Sequence, residues 1–146
     1  KYFMAKAIDE AKIALSMGEV PIGAVIVADD RIIARAHNQV ERLNDVTAHA
    51  EMLAITSAAN YLGGKYLENC TMYVTMEPCQ MCAGALYWSR ISKIYYGAED
   101  PKRGFTALGN LMHPKKNIQI GNVVYLKMIQ IGNFKFELEI WCTSIT

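Results

Sequence analysis

His49-Ala50-Glu51 is followed, after a Gly63-Gly64 break and the alternating segment Thr71–Met76, by Pro78-Cys79-Gln80-Met81-Cys82. These two short runs supply one imidazole, two thiols and one nearby carboxyl. Three nitrogen and sulfur ligands leave a tetrahedral zinc with one open position, the arrangement of catalytic rather than closed structural sites. Water in that fourth position becomes a nucleophile near neutral pH. Glu51 then has a use, shuttling protons between that water and a substrate.

Simpler readings exist for each half. A lone CxxC is often a redox pair or half of a structural zinc site, and a lone HxE carries almost no information. The combination says more. A strand-like segment leads into Pro78, both halves open helices, and no second CxxC or HxxxH completes a structural site. Thr47 or Asp45 is expected to cap a helix over 48–60, with His49 and Glu51 in its first turn pointing in different directions. Pro78 suits the first position of a second helix, over 79–89. Cys79 and Cys82 share one face there, and the helix dipole favours their thiolates.

Working outward, residues 2–17 place Phe3, Met4, Ala7, Ile8, Ala11 and Leu15 at helical spacing, with Gly18 as a stop. Residues 22–27 and 31–36 read as strands joined by a turn at Asp29-Asp30. Residues 37–46 read as a polar loop, 71–76 as a third strand and 94–97 as a fourth. The order β-β-α-β-α-β predicts an α/β fold with helices on both faces of one sheet. The two helices of the HxE and CxxC runs both begin just after strands, so their N-termini can converge at one end of that sheet. The end of the chain has a different texture. Ile118-Gln119-Ile120-Gly121-Asn122 recurs as Ile129-Gln130-Ile131-Gly132-Asn133. Alternation with Gly-Asn turn signals makes 118–140 a hairpin or extended edge, since two copies are too few for a solenoid.

Composition bounds the function classes. A chain of 146 residues is expected to form a single domain over 1–146, with 118–146 an atypical tail. At 52% hydrophobic and 20% charged it suits a compact enzyme and argues against disorder. No apolar run approaches the roughly 20 residues of a membrane span. Lys6, Asp9, Glu10 and Lys12 exclude 2–17 as a signal peptide. Four cysteines, two of them in a ligand motif, point to a reducing, cytoplasmic location, with Cys70 and Cys142 as bystanders. A net charge of +1 does not advertise a nucleic-acid binder, so RNA contacts would fall to Arg90/Lys93, Lys102/Arg103 and Lys115/Lys116. Such clusters are also ordinary solvated surface. His37 and His113 read as surface or packing histidines.

Residues 19–104 resemble the bacterial tRNA-specific adenosine deaminases of the cytidine-deaminase-like superfamily. The resemblance is carried by Glu19-Val20-Pro21-Ile22-Gly23-Ala24-Val25, His37-Asn38, Asp45-Val46-Thr47-Ala48-His49-Ala50-Glu51-Met52, Glu77-Pro78-Cys79-Gln80-Met81-Cys82-Ala83-Gly84-Ala85-Leu86, Ser89-Arg90-Ile91 and Tyr96-Gly97-Ala98-Glu99-Asp100-Pro101-Lys102. HAE and PCxxC identify only the superfamily, whereas PCxMCAGAL with SRI and YGAxD is more specific. The resemblance implies a cytidine-deaminase-like three-layer α/β/α fold with a central mixed sheet. It implies Zn2+ held by His49, Cys79 and Cys82, with Glu51 as proton shuttle. It places Asn38 at the purine edge, where an amide offers both a donor and an acceptor. Val20 falls where the family packs an apolar wall on the base. Without the resemblance, Asn38 would read as a loop residue holding a turn and Val20 as core. Asp100 and Lys102 look like the border of the nucleotide groove, or else a cap and a solvated loop. A homodimer is also implied, and Tyr87-Trp88 would suit its interface. The family's usual closing amphipathic helix, with its acidic-Cys stretch and paired phenylalanines, has no counterpart after His113-Pro114-Lys115.

The function expected is hydrolytic deamination of adenosine to inosine in a tRNA anticodon loop, at the wobble position. One alternative is a deaminase of a free nucleobase or nucleoside of guanine or cytosine type, sharing every metal residue. Another, of a different class, is a non-catalytic zinc module that binds RNA. Glu51 speaks against it, since a closed structural site needs no carboxyl beside its metal.

Overall fold

The computed structural model describes residues 1–106 in full and, beyond them, the backbone of 119–122, 125–131 and 135–141. Helix α1 (Tyr2–Ser16) buries Met4, Ala7, Ile8, Ala11 and Ala14, the apolar stripe of its sequence. Gly18, at φ 75°, turns the chain away. Strand β1 (Gly23–Ala28) pairs antiparallel with β2 (Arg31–His37). Asp29 and Asp30 both take positive φ between them, the backbone a two-residue hairpin demands and one that aspartate tolerates. Strand β1 is buried through Val27 because helices cover both its faces.

Strand β3 (Thr71–Met76) pairs antiparallel with β1 and parallel with β4 (Lys93–Ala98). Strand β5 (Gln119–Asn122) extends the sheet parallel to β4. The mixed sheet therefore runs β2-β1-β3-β4-β5. Helices α3 (Ala50–Leu62) and α4 (Gln80–Trp88) pack on one face, over Ala24, Ile26, Met72, Val74 and Ile94. Helix α1 packs on the other, over Val25, Val27 and Tyr73. The alternation along β1 and β3 assigns each side chain to its layer. Ala50, Ala54 and Ala58 give α3 a flat face that seats against Ala34 and Ala36. The result is the expected three-layer α/β/α fold.

Four expectations need correction. The polar loop 37–46 contains a short helix, α2 (Val40–Leu43), closed by Asn44 in the left-handed region. The α3 N-cap is His49 itself, not Thr47 or Asp45, because the Asp45 carboxylate is engaged by the Thr47 N–H and hydroxyl. The α4 N-cap is Cys79, so Pro78 lies outside the helix; the backbone carbonyl of Pro78 accepts instead from the Phe105 N–H. Gly121-Asn122 is not a turn but lies within β5, paired with Tyr95 and Tyr96. The expected hairpin is formed by β6 (Tyr125–Ile131) and β7 (Lys135–Trp141) as a separate two-stranded sheet. Its Gly132-Asn133 connection, His113, Lys115, Lys116 and Cys142 lie outside the described residues.

Candidate active site

The C-terminal end of β3 delivers Glu77, Pro78 and Cys79 to the start of α4. Cys79 is extended as the N-cap, and Cys82 follows in the first turn. Across the sheet end, His49 is extended as the N-cap of α3, with Glu51 in its first turn. Two helix N-termini thus meet, and their free N–H groups make the junction favourable for anions. The His49 Nδ1 lies 3.7 Å from the Cys79 sulfur and 3.5 Å from that of Cys82. These donor atoms all fall within 4.8 Å of one another.

That spacing fits zinc. Bonds of about 2.3 Å to sulfur and 2.0–2.1 Å to nitrogen, set at the tetrahedral angle, separate nitrogen and sulfur by about 3.6 Å. The electrostatics fit as well. A hydrogen bond from Cys82 draws the Cys79 thiol down to about 4, helped by His49. The same hydrogen bond, together with burial, pushes Cys82 upward. His49 is raised by its hydrogen bond with Cys79. One negative charge is thus shared by two sulfurs, and a dication is what makes both thiolate.

Glu51 is buried, and its Oε2 has no hydrogen-bond partner. Burial pushes its carboxyl up to about 7, offset in part by a hydrogen bond with its own backbone. A buried carboxyl with an unpartnered oxygen beside a ligand triad is costly unless the site uses it.

The remaining expected residues have the following surroundings. Asn38 is buried; its backbone N–H donates to the Ile22 carbonyl at 3.0 Å, and its side-chain Nδ2 donates to Glu19 Oε2 at 3.2 Å. The Gln39 N–H donates to the Ala48 carbonyl, which ties the Asn38 segment to the approach of α3. Val20 is not core but 53% exposed. Asp100 is an Asx turn, accepting from the Lys102 and Arg103 N–H groups, both at 3.0 Å. Its loop reaches the metal end through a backbone bridge between Cys79 and Gly104. Arg90 and Lys93 do not converge there. Lys93 pairs with Thr71 at the opposite end of β3, and Arg90 stacks on Tyr66 and bonds Glu68. His37 bonds Glu10 at 2.9 Å, a packing role.

Two buried carboxylates, Glu19 and Glu77, were given no role by the sequence reading. Glu19 accepts from Asn38 and from the N–H groups of Glu41 and Arg42. Glu77 accepts from the Asp100 N–H and from the N–H and hydroxyl of Thr106, folding that loop against the Cys79 segment. The available signal was a lone acid within an apolar run, Met76-Glu77-Pro78 being the clearer case.

A mixed sheet with His, Cys and Cys gathered at two helix N-termini is the architecture of the zinc-dependent nucleobase deaminases. Residues 1–98 match the family described as the cytidine and deoxycytidylate deaminase zinc-binding region. The tRNA-specific adenosine deaminase of Aquifex aeolicus is 56% identical over 104 residues, 71% of this chain and 69% of that one. A solved tRNA:A34 deaminase, concerned with A-to-I editing at the wobble position, superposes with a TM-score of 0.74 at 44% identity, over 82% of this chain and 91% of that one. A guanine deaminase from Bacillus subtilis superposes with a TM-score of 0.66, also at 44% identity, over 67% of this chain and 63% of that one. The chain belongs to the tRNA-specific adenosine deaminase family of hydrolytic zinc deaminases.

Proposed function

We propose that this protein converts adenosine to inosine at the wobble position of a tRNA anticodon loop, releasing ammonia. The observation that carries the chemistry is the His49, Cys79 and Cys82 triad beside the unpartnered, buried Glu51 oxygen. His49, Cys79 and Cys82 hold the metal. Zinc held there would supply a water acidified to react near neutral pH. Glu51 takes one proton of the attacking water and gives it to the ring nitrogen; it then takes the proton of the newly added hydroxyl and gives it to the amine, which leaves as ammonia as the carbonyl forms. One carboxyl serves each transfer, so its exclusion from solvent keeps the proton with the reactants.

Asn38 faces the base edge and Val20 lines the rim against the base. Lys102 and Arg103, exposed on the loop bridged to Cys79, suit the flanking phosphates. An anticodon-loop base is already partly unstacked, which lowers the cost of extruding it. The protein acts as a homodimer; the exposed Tyr87-Trp88 pair at the end of α4 supports that reading. The use of Cys79 and Cys82 as ligands rather than as disulfide partners supports a cytoplasmic location. Among the described residues no helix is long and apolar enough to cross a membrane.

The likeness to a guanine deaminase at equal identity favours a second reading, deamination of a free base. Incubation with total tRNA and with free purines, followed by nucleoside analysis, separates the two. Inosine in the tRNA supports the first reading. Loss of free guanine with unmodified tRNA contradicts it.

A further inference from the structure

Asn38 and α2 share one buried anion. Glu19 is 4% exposed, and among the described residues no cation pairs with its carboxylate. Its charge is met by hydrogen bonds alone. Oε1 accepts from the Arg42 N–H at 2.8 Å, and Oε2 from the Glu41 N–H and the Asn38 side-chain amide, both at 3.2 Å. The N-cap of α2, Gln39, makes no side-chain capping bond, so Glu19 caps this four-residue helix from a distance.

The same contact fixes a polarity. A carboxylate only accepts, so the Asn38 atom turned toward it must be the NH2 group. The carbonyl oxygen and the second N–H are then the groups left free for a base, and an inverted amide would set two oxygens against each other. We infer that Glu19 is a positioning residue, which locks the Asn38 amide in one orientation and thereby sets the donor–acceptor pattern the pocket offers to a base. This rests on the reading of Asn38 as the residue that faces the base. The lock adds order to the pocket without adding a contact to the substrate, and pre-organised polar groups are what discriminate one base edge from another.

A double-mutant cycle tests it. Glu19→Gln, Asn38→Ala and the double variant are assayed on an anticodon stem-loop, with zinc content and urea midpoint read on each. Gln keeps the shape of Glu19 but presents a donor on one side. Glu19→Gln lowers kcat/KM by about 10–100-fold in the wild-type background, and by less than about threefold beyond Asn38→Ala alone, with zinc retained throughout. The loss of the α2 cap lowers the urea midpoint in both backgrounds alike, so the activity coupling is separate from the structural cost. Losses that multiply would overturn the inference, because they mean that Glu19 does not act through Asn38. An Asn38→Ala variant within threefold of wild type would instead remove the reading of Asn38 itself. A second measurement needs no variant: in the wild-type protein one Asn38 side-chain amide proton exchanges slowly with solvent. Equal, fast exchange of both protons contradicts the lock even if Glu19→Gln does not fold.

Discussion

At the scale of single residues, the centre is made by four groups that hold different jobs through different surroundings. Cys79 sits where a helix N-terminus and the hydrogen bond from Cys82 favour negative charge, whereas the same bond and burial hold the Cys82 thiol upward. Glu51 is two residues beyond His49 but sits in the first turn of α3, buried and unpartnered. Glu51→Ala is therefore expected to keep zinc and fold while losing about 10²–10⁴-fold or more in single-turnover deamination, since one group serves several proton transfers. Activity within threefold of wild type would show another group moving the protons. The Cys79→Ala/Cys82→Ala double variant should lose its zinc, read by metal analysis of purified protein; undiminished zinc would mean that the ligands lie elsewhere. The convergence of His49, Cys79 and Cys82 was legible in sequence because zinc chemistry restricts both residue type and spacing. Glu19 and Glu77 were not, because the partners of a buried carboxylate are backbone N–H groups about twenty or more residues away, as in Glu19 to Arg42.

At the scale of elements, strands and helices followed from periodicity and glycine punctuation, and the errors cluster at helix starts. A first turn carries no fixed residue pattern; His49 takes the α3 N-cap expected of Asp45 or Thr47, and Cys79 takes the α4 N-cap, which leaves Pro78 outside the helix it was expected to open. Helix α2 is too short to carry a period and owes its cap to Glu19, which the sequence places far away. The close seat of α1 on the sheet depends on Gly23, where an added Cβ would overlap the Ala7 carbonyl and the Ala11 nitrogen. The Gly23 N–H also donates to the Thr75 hydroxyl at 3.2 Å. Gly23→Ala should lower stability by about 1–3 kcal/mol through forced displacement of α1, with zinc still bound below the new melting temperature. An unchanged urea midpoint would mean that α1 shifts freely and is not a fixed layer of the fold.

At the scale of the whole molecule, the deaminase layers are described from α1 through the loop that follows β4, and β5 extends their sheet. Alternation identified the hairpin of β6 and β7, but the sequence could not say that its first Gly-Asn would join the main sheet; a parallel edge partner is chosen by the free edge of β4 and not by local pattern. The charge layout limits what RNA can touch. Lys102 and Arg103 lie at the metal end, whereas Arg90 is engaged by Glu68 and Tyr66 at the other. Binding of a stem-loop should weaken with salt, at a slope of about −0.7 per contacted phosphate. Lys102→Ala should reduce that slope by roughly one contact, and Arg90→Ala should leave it unchanged; the reverse order would place the groove at the opposite end.

The most direct measurement offers an anticodon stem-loop, adenosine, guanine and cytidine side by side to the zinc-loaded protein and follows ammonia release. The zinc centre, the Glu51 carboxyl and the Asn38 edge together predict fastest release from the stem-loop, with inosine appearing at the wobble position and nowhere else. Faster release from guanine or cytidine than from the stem-loop would contradict the account and assign the same site to free bases.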